Sequence, residues 1–303
     1  MNTLLRPVVA HYQVVHQTDY QYQNLVTLSQ QYLHLSPRSF KFQEVLNDSI
    51  TVAPIGEERT EGLDYFGNKV QNMTILEPHH ALSVRAEFEV VLRARYSFAE
   101  LSHSTPWEAL RDTRFVFDPL SSDEPQRYLY ASPHVNWNEE LREYALASYT
   151  PGRPHLEAAL SLTKRIFDDF EFDGEATDIS TPLEQVLRGR RGVCQDFAQL
   201  MIGCLRSLGL AARYISGYIL THPPEGEARL IGADASHAWV SVYCPEFGWV
   251  DFDPTNRCLV QHEHITLGWG RDFSDVTPMR GVVLGGDQQN LAVSVTVTPV
   301  PIK

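Results

Sequence analysis

The run from Gly192 to Pro254 constrains this chain more than any other. Phe197, Leu200, Met201, Cys204, Leu205 and Leu208 fall at helical spacing behind Gly192, and Gly209 supplies a stop. The pattern predicts a helix with one buried face, its first turn at Cys194. Ala212, Tyr214, Ser216 and Tyr218 then alternate with Arg213, Ile215 and Gly217, which reads as a strand. His237–Tyr243 and Gly248–Asp253 read as two more, with Cys244-Pro245-Glu246-Phe247 as the hairpin turn between them. A buried helix feeding hairpin-linked strands has few solutions, and the simplest is α+β, the helix packed on an antiparallel sheet.

The preceding residues follow a different period. Tyr12, Val14, His16, Thr18, Tyr20 and Tyr22 alternate, as do Ala86, Phe88, Val90 and Leu92. Turn residues at Ser36-Pro37, Pro54 with Gly56, and Asp64 to Asn68 punctuate the region. Residues 1–100 therefore read as an all-β, sandwich-like domain. Residues 101–136 lose all periodicity under four prolines. Trp107, Phe115, Phe117, Tyr128 and Tyr130 mark them as a connector packed on the surface, too aromatic for a free linker. Residues 137–303 form the second domain. Asn138 caps a helix toward Tyr149, and Leu156, Ala159, Leu160, Thr163, Phe167 and Phe170 stripe another after Pro154. Thr181-Pro182-Leu183-Glu184 has the form of a capping box, with Gly189 to end its helix. A last strand, Leu291 to Val297, completes this domain in the sequence reading.

Charge narrows the function classes. Twenty-five Lys and Arg against 38 Asp and Glu give −13. A field of that sign repels phosphate and anionic lipid, which argues against nucleic-acid or membrane-surface partners. No stretch approaches a spanning helix, the N-terminus has no secretory pattern, and four cysteines are too few for a disulfide scaffold of this length. The expectation is a cytoplasmic protein.

Cys194 at a helix start is a chemical proposition as well as a structural one. A free thiol, with a pKa of about 8.5, is mostly protonated at neutral pH, and only the thiolate attacks well. Unpaired N–H groups and a partial positive charge at a helix N-terminus favour S⁻, and an imidazole can take the proton. The imidazole in turn needs a group on its other nitrogen to fix its direction. His237 begins one strand of the expected hairpin and Asp253 ends the other, so pairing the two strands places Asp253 beside His237. Asp251 lies on the same face as Asp253, and spacing alone does not choose between them.

These residues carry a resemblance. Arg191-Gly192-Val193-Cys194-Gln195-Asp196-Phe197-Ala198 resembles the G-x-C motif of the transglutaminase-like superfamily. Ser236-His237-Ala238-Trp239-Val240 is similar to its HAW motif, and Gly248-Trp249-Val250-Asp251-Phe252-Asp253-Pro254-Thr255 to its third. The order and the gaps of 43 and 16 residues agree. The start resembles the bacterial transglutaminase-like N-terminal region, through His16-x-Thr-x-Tyr-x-Tyr, Pro37-Arg38 and Phe66-Gly67-Asn68. The ending, Gly270-Arg271-Asp272-Phe273-x-Asp275-Val276, resembles the same bacterial subgroup's tail. The resemblance implies a papain-like core with Cys194 as nucleophile, His237 as base and Asp253, rather than Asp251, as orienter. It implies a peptide or protein substrate attacked at a carboxamide or isopeptide bond, with no cofactor.

Other residues invite roles. The N–H of Cys194 is placed to hold an oxyanion, and Gln195, Asp196, Trp239 and Gln185 are candidates for substrate or oxyanion contacts. Asp196 also suits a helix N-terminus structurally. Cys244, Cys258, His262 and His264 lack the C-x₂-C or H-x₃-H spacing of a zinc site. Asp169-x-Glu171-x-Asp173-Gly174 begins like a calcium loop but has Ser180 where the twelfth-position Glu belongs. No metal is expected. Arg271 with Asp272 and Asp275 reads as a charge network locking the C-terminal segment.

Overall fold

The structure is a computed structural model that describes residues 6–56, 58–111, 124–221 and 235–302. Five strands come first: β1 (Val8–Leu33), β2 (Gln43–Ala53), β3 (Glu58–Leu63), β4 (Lys69–Ile75) and β5 (His79–Arg93). Helices α1 (Phe98–Leu101), α2 (Trp107–Arg111), α3 (Glu139–Leu146) and α4 (His155–Asp169) follow. The short strand β6 (Glu171–Phe172), α5 (Leu183–Gly189), strand β7 (Arg191–Gly192) and α6 (Cys194–Ser207) come next. Then come β8 (Ala212–Ile219), β9 (Ala235–Cys244), β10 (Gly248–Asp253), β11 (Cys258–Leu259), β12 (His264–Gly270), β13 (Met279–Gly285) and β14 (Gln289–Pro299). No helix among the described residues is long and apolar enough to cross a membrane.

The N-terminal strands assemble in the order β2-β5-β1-β4-β3. The period-two residues of β1 point inward as the alternation predicts: Tyr12, Val14, His16, Thr18 and Tyr22 are buried. Val26, Leu33, Ile50, Met73, Ile75, Leu82 and Val84 pack into one cluster from β1, β2, β4 and β5. The C-terminal strands depart from the sequence reading. Instead of completing the second domain, β14 pairs with β1 from Tyr12 to Tyr22, and β13 pairs with β1 from Val26 to Leu33. An edge along a 26-residue strand would leave a long row of unpaired backbone groups, and the two final strands cover it.

The second sheet has the order β11-β10-β9-β8-β12. The predicted β9–β10 hairpin forms with Gly248 opposite Cys244 and Phe252 opposite Val240. One face meets α6, where Phe197, Leu200, Met201 and Leu205 pack with Ala238, Val240 and Val242. The other face carries Ile215, Trp239 and Trp269 against Phe66 and Tyr128. With both faces covered, every residue of β12 is buried.

Local details differ from the sequence reading in three places. Asn138 caps α3 by accepting the Leu141 N–H at 3.1 Å, but the helix stops at Leu146. The capping box at Thr181 does not form: Pro182 occupies the cap, and Thr181 turns its hydroxyl to Asp178. Phe167 is 46% exposed, off the buried stripe of α4, with the Arg257 guanidinium over its ring. In the connector, Trp107 and Tyr128 are buried and Tyr130 is exposed, while Phe115 and Phe117 lie outside the described residues.

Arg206 ties several of these pieces together. Its buried guanidinium donates to the carbonyls of Tyr128, Tyr130, Ala212 and Arg271. Arg271 itself makes a two-pronged pair with Asp275, at 2.9 Å for each prong. Asp272 caps the turn that follows, accepting from the Ser274 N–H.

Candidate active site

The entry to α6 is built by short-range contacts around a glycine. β7 pairs in parallel with β6, Gly192 opposite Phe172, which fixes the chain immediately before Cys194. Asp196 then folds back across the helix start, its Oδ2 accepting the Val193 N–H at 2.8 Å and the Thr177 hydroxyl at 2.6 Å. A Cβ on Gly192 would stand 2.7 Å from that same oxygen, so only glycine admits the carboxylate. Asp196 is 3% exposed and burial raises its pKa, against the two hydrogen bonds that lower it. It closes the helix end and is not presented to a substrate.

Cys194 is therefore the first residue of α6, partly exposed, at the end where helical N–H groups lack intrahelical acceptors. Its own N–H and that of Gln195 are donors of this kind. Tyr214, on the strand beneath, is fully buried. Burial first, then negative charge at Cys194, Asp196 and Asp272, keeps its phenol protonated.

His237 lies opposite Gly217 near the start of β9. Its Nε2 is 2.7 Å from Asp253 Oδ2. Asn256 Nδ2 stands 3.2 Å from the same nitrogen, and the Cys194 side chain is close enough to favour charge on the ring. Burial opposes charge on this ring, but Asp253 and Cys194 outweigh it and push the pKa up to about 10. The imidazolium is thus the form the site holds.

Asp253 has no exposed surface and five donors. Oδ1 accepts the backbone N–H groups of Thr255 and Asn256 at 2.9 and 3.1 Å. Oδ2 accepts His237, Asn256 Nδ2 at 2.7 Å and His264 Nε2 at 2.8 Å. Burial alone would raise this carboxyl; the two histidines hold it well below the usual carboxylate range. Asp251 has other partners, Arg95 Nη1 at 2.6 Å and the Trp239 indole N–H at 3.3 Å. Of the two aspartates on this face, Asp253 is the one that touches His237.

The structure thus brings Cys194, His237 and Asp253 together. It does not bring Trp239 to the same place as a donor: the side chain is fully buried and its N–H goes to Asp251. Gln185 is exposed on α5, and Gln195 is partly exposed beside the nucleophile. Among the described residues, one cluster is compact enough to hold an ion, His237, Asp253 and His264, and its ligand atoms are engaged with one another.

His264 is what sequence reasoning missed. Its ring is buried, edge-on to Trp239 at 5.2 Å, and burial lowers its pKa more than Asp253 raises it, so it stays neutral. The alternation of His264, Thr266 and Gly268 with Ile265, Leu267 and Trp269 was the available signal for a strand. In the sequence, His264 stands out only with Cys244, Cys258 and His262, a set without zinc-ligand spacing.

With this geometry in view, comparison with known proteins places the chain. Residues 143–254 match the model of the transglutaminase-like superfamily, and residues 12–91 that of the bacterial transglutaminase-like N-terminal region.

The chain belongs to the transglutaminase-like superfamily.

An uncharacterised protein of Mycobacterium tuberculosis is 37% identical over 306 residues, covering 96% of this chain and 93% of its own length. One from Mycobacterium leprae is 29% identical over 290 residues, covering 94% and 97%. A Pseudomonas aeruginosa protein-glutamine gamma-glutamyltransferase is 39% identical over 80 residues, 26% of this chain and 12% of that enzyme. Among solved structures, a Cytophaga hutchinsonii protein described as a candidate cysteine protease superposes with a TM-score of 0.76. It is 19% identical, covering 98% of this chain and 93% of that one, a likeness of fold. The transglutaminase-like α+β architecture read from the sequence is the one these matches share.

Proposed function

We propose that this transglutaminase-like chain is a cysteine-dependent acyl-transfer enzyme that acts on peptide, isopeptide or glutamine-type carboxamide bonds. The observation that carries the reading is His237, hydrogen-bonded to a buried aspartate and electrostatically coupled to a cysteine at a helix start. In this reading the Cys194 thiolate attacks the carbonyl carbon. The Cys194 N–H, with a second donor, holds the oxyanion. His237 gives a ring proton to the leaving amine, a thioester remains, and Asp253 keeps the ring aimed throughout.

Water is the proposed acceptor that resolves the thioester, with His237 removing its proton, so the enzyme is a hydrolase of the cysteine peptidase or amidase type. A lysine or small amine as acceptor would make it a transglutaminase. The match to the Pseudomonas glutamyltransferase favours that second reading over 80 residues only. Four free cysteines fit a reducing compartment.

Glutamine-containing peptides, incubated with and without a labelled primary amine beside a Cys194→Ala control, separate the two. Ammonia or cleaved peptide without label is the expected outcome. Cys194-dependent amine incorporation would replace hydrolysis by transfer, and no Cys194-dependent product from a broad peptide set would count against both.

A further inference from the structure

The position of His264 is unexpected for a residue that touches Asp253. In the order β10-β9-β8-β12, the strands carrying these residues stand three places apart. At about 4.8 Å per place, a flat sheet would separate them by roughly 14 Å. The two side chains nonetheless meet at 2.8 Å, reaching toward each other across β9 and β8. Gly217, paired with His237 on one side and Thr266 on the other, lies between the strands that carry them. A Cβ there would lie 2.1 Å from the Ile265 carbonyl oxygen and 2.5 Å from the Trp239 ring.

What holds β12 in this position comes from the N-terminal strands and their connections. One edge of β12 pairs with β8. Two buried side-chain amides hydrogen-bond its backbone as well. Gln43 accepts the Thr266 N–H at 2.9 Å and donates to the Thr266 carbonyl at 2.7 Å. Asn68 does the same to Trp269, at 2.9 and 2.8 Å. The Tyr12 hydroxyl donates to the His262 carbonyl at 3.0 Å, and Ile265 and Leu267 pack against Tyr12, Val14 and Phe88. Arg38 lays its guanidinium on the Trp269 ring and donates to Asn68.

We propose that His264 is a positioning residue for Asp253, and that the N-terminal β domain holds it in place through β12. The inference rests on the triad reading above. The neutral His264 ring donates its Nε2–H to the oxygen that also receives His237. It thereby fixes the rotamer of Asp253, and so the aim of the imidazole at Cys194. In this design the N-terminal strands are part of the active-site scaffold, with Gln43 gripping the β12 backbone two residues from His264.

The test uses the full-length chain and the rate at which iodoacetamide alkylates Cys194, read by peptide mass, with thermal unfolding measured in parallel. His264→Leu is expected to slow alkylation about tenfold, the scale on which loss of an orienting partner acts. His264→Gln, whose amide N–H can replace Nε2–H, is expected to recover most of the rate. Gln43→Leu is expected to slow it several-fold and to add little on top of His264→Leu, because both act through one route. Rescue by Gln combined with this non-additivity supports the proposal in variants that remain folded. A His264→Leu rate equal to wild type, or Gln43 and His264 effects that multiply independently, overturns it. If wild-type Cys194 reacts no faster than Cys258, the triad reading itself has failed, a result distinct from either.

Discussion

Asp253→Asn is the sharpest perturbation of the site, because the environment of Asp253 accepts hydrogen bonds nowhere and donates them everywhere. Asparagine keeps the shape but turns one of the two oxygens into a donor. With its oxygen toward His237, His264 and Asn256, the new NH₂ faces the backbone N–H groups of Thr255 and Asn256. In the flipped orientation it faces the three side-chain donors instead. The first orientation is cheaper, since Thr255 and Asn256 lie nearer the surface and water can reach them. Two lost bonds to a charged acceptor still cost roughly 2–4 kcal/mol.

The lost charge adds a term that depends on pH. The rise of His237 from 6.5 to about 10 corresponds to about 5 kcal/mol at ~1.36 kcal/mol per tenfold, a sum Asp253 shares with Cys194. Because this pKa is raised, its stabilisation is fully present below pH 6.5 and is lost as pH climbs toward 10. The Asp253 pKa is depressed, so its own contribution is present above 3.8 and lost only in strong acid. The gap between wild type and variant should thus be widest from about pH 4 to 6.5, at about 4–6 kcal/mol, and narrow by about 2 kcal/mol toward pH 10. Urea denaturation at pH 5.5, 7.5 and 9.5 measures it. A gap under about 1 kcal/mol at pH 5.5, or one that widens with pH, would refute the ion-pair account.

Four further outcomes follow from the structure. Cys194→Ala should reduce any turnover of a carboxamide substrate by about 10⁴-fold or more, and should lower the unfolding free energy near pH 6 by about 1–2 kcal/mol, its share of the His237 interaction. Trp239→Phe should leave kcat unchanged and cost about 1–2 kcal/mol through the lost bond to Asp251, measured by denaturation; a large fall in kcat alone would restore an oxyanion role for the indole. Gly217→Ala should destabilise by about 2–4 kcal/mol, because the added carbon meets backbone on one side and Trp239 on the other. Arg206→Met should cost about 3–5 kcal/mol and expose the 124–136 segment to proteolysis, since at least four carbonyls lose their donor together.

What the sequence disclosed of this site follows from the range over which each contact is specified. Cys194 and Asp196 are arranged by their own helix start, and His237 and Asp253 by a hairpin whose turn has three residues between its strands. Periodicity and turn chemistry encode such local geometry directly, so these positions could be read. The choice of Asp253 over Asp251 could not be read from the alternation, because it depends on Arg95, a residue 156 positions away that occupies Asp251. His264 escaped for the same reason in stronger form: its contact joins strands three places apart in the sheet, on a β12 gripped by two amides from the N-terminal part of the chain. The C-terminal strands belong with it. Their alternation announced a strand, but its partner was decided by which edge lay open, and that edge is on β1, at the opposite end of the chain. The residues hardest to read are thus those through which the two main sheets meet, and the same residues lead from the N-terminal strands to the aspartate of the candidate triad.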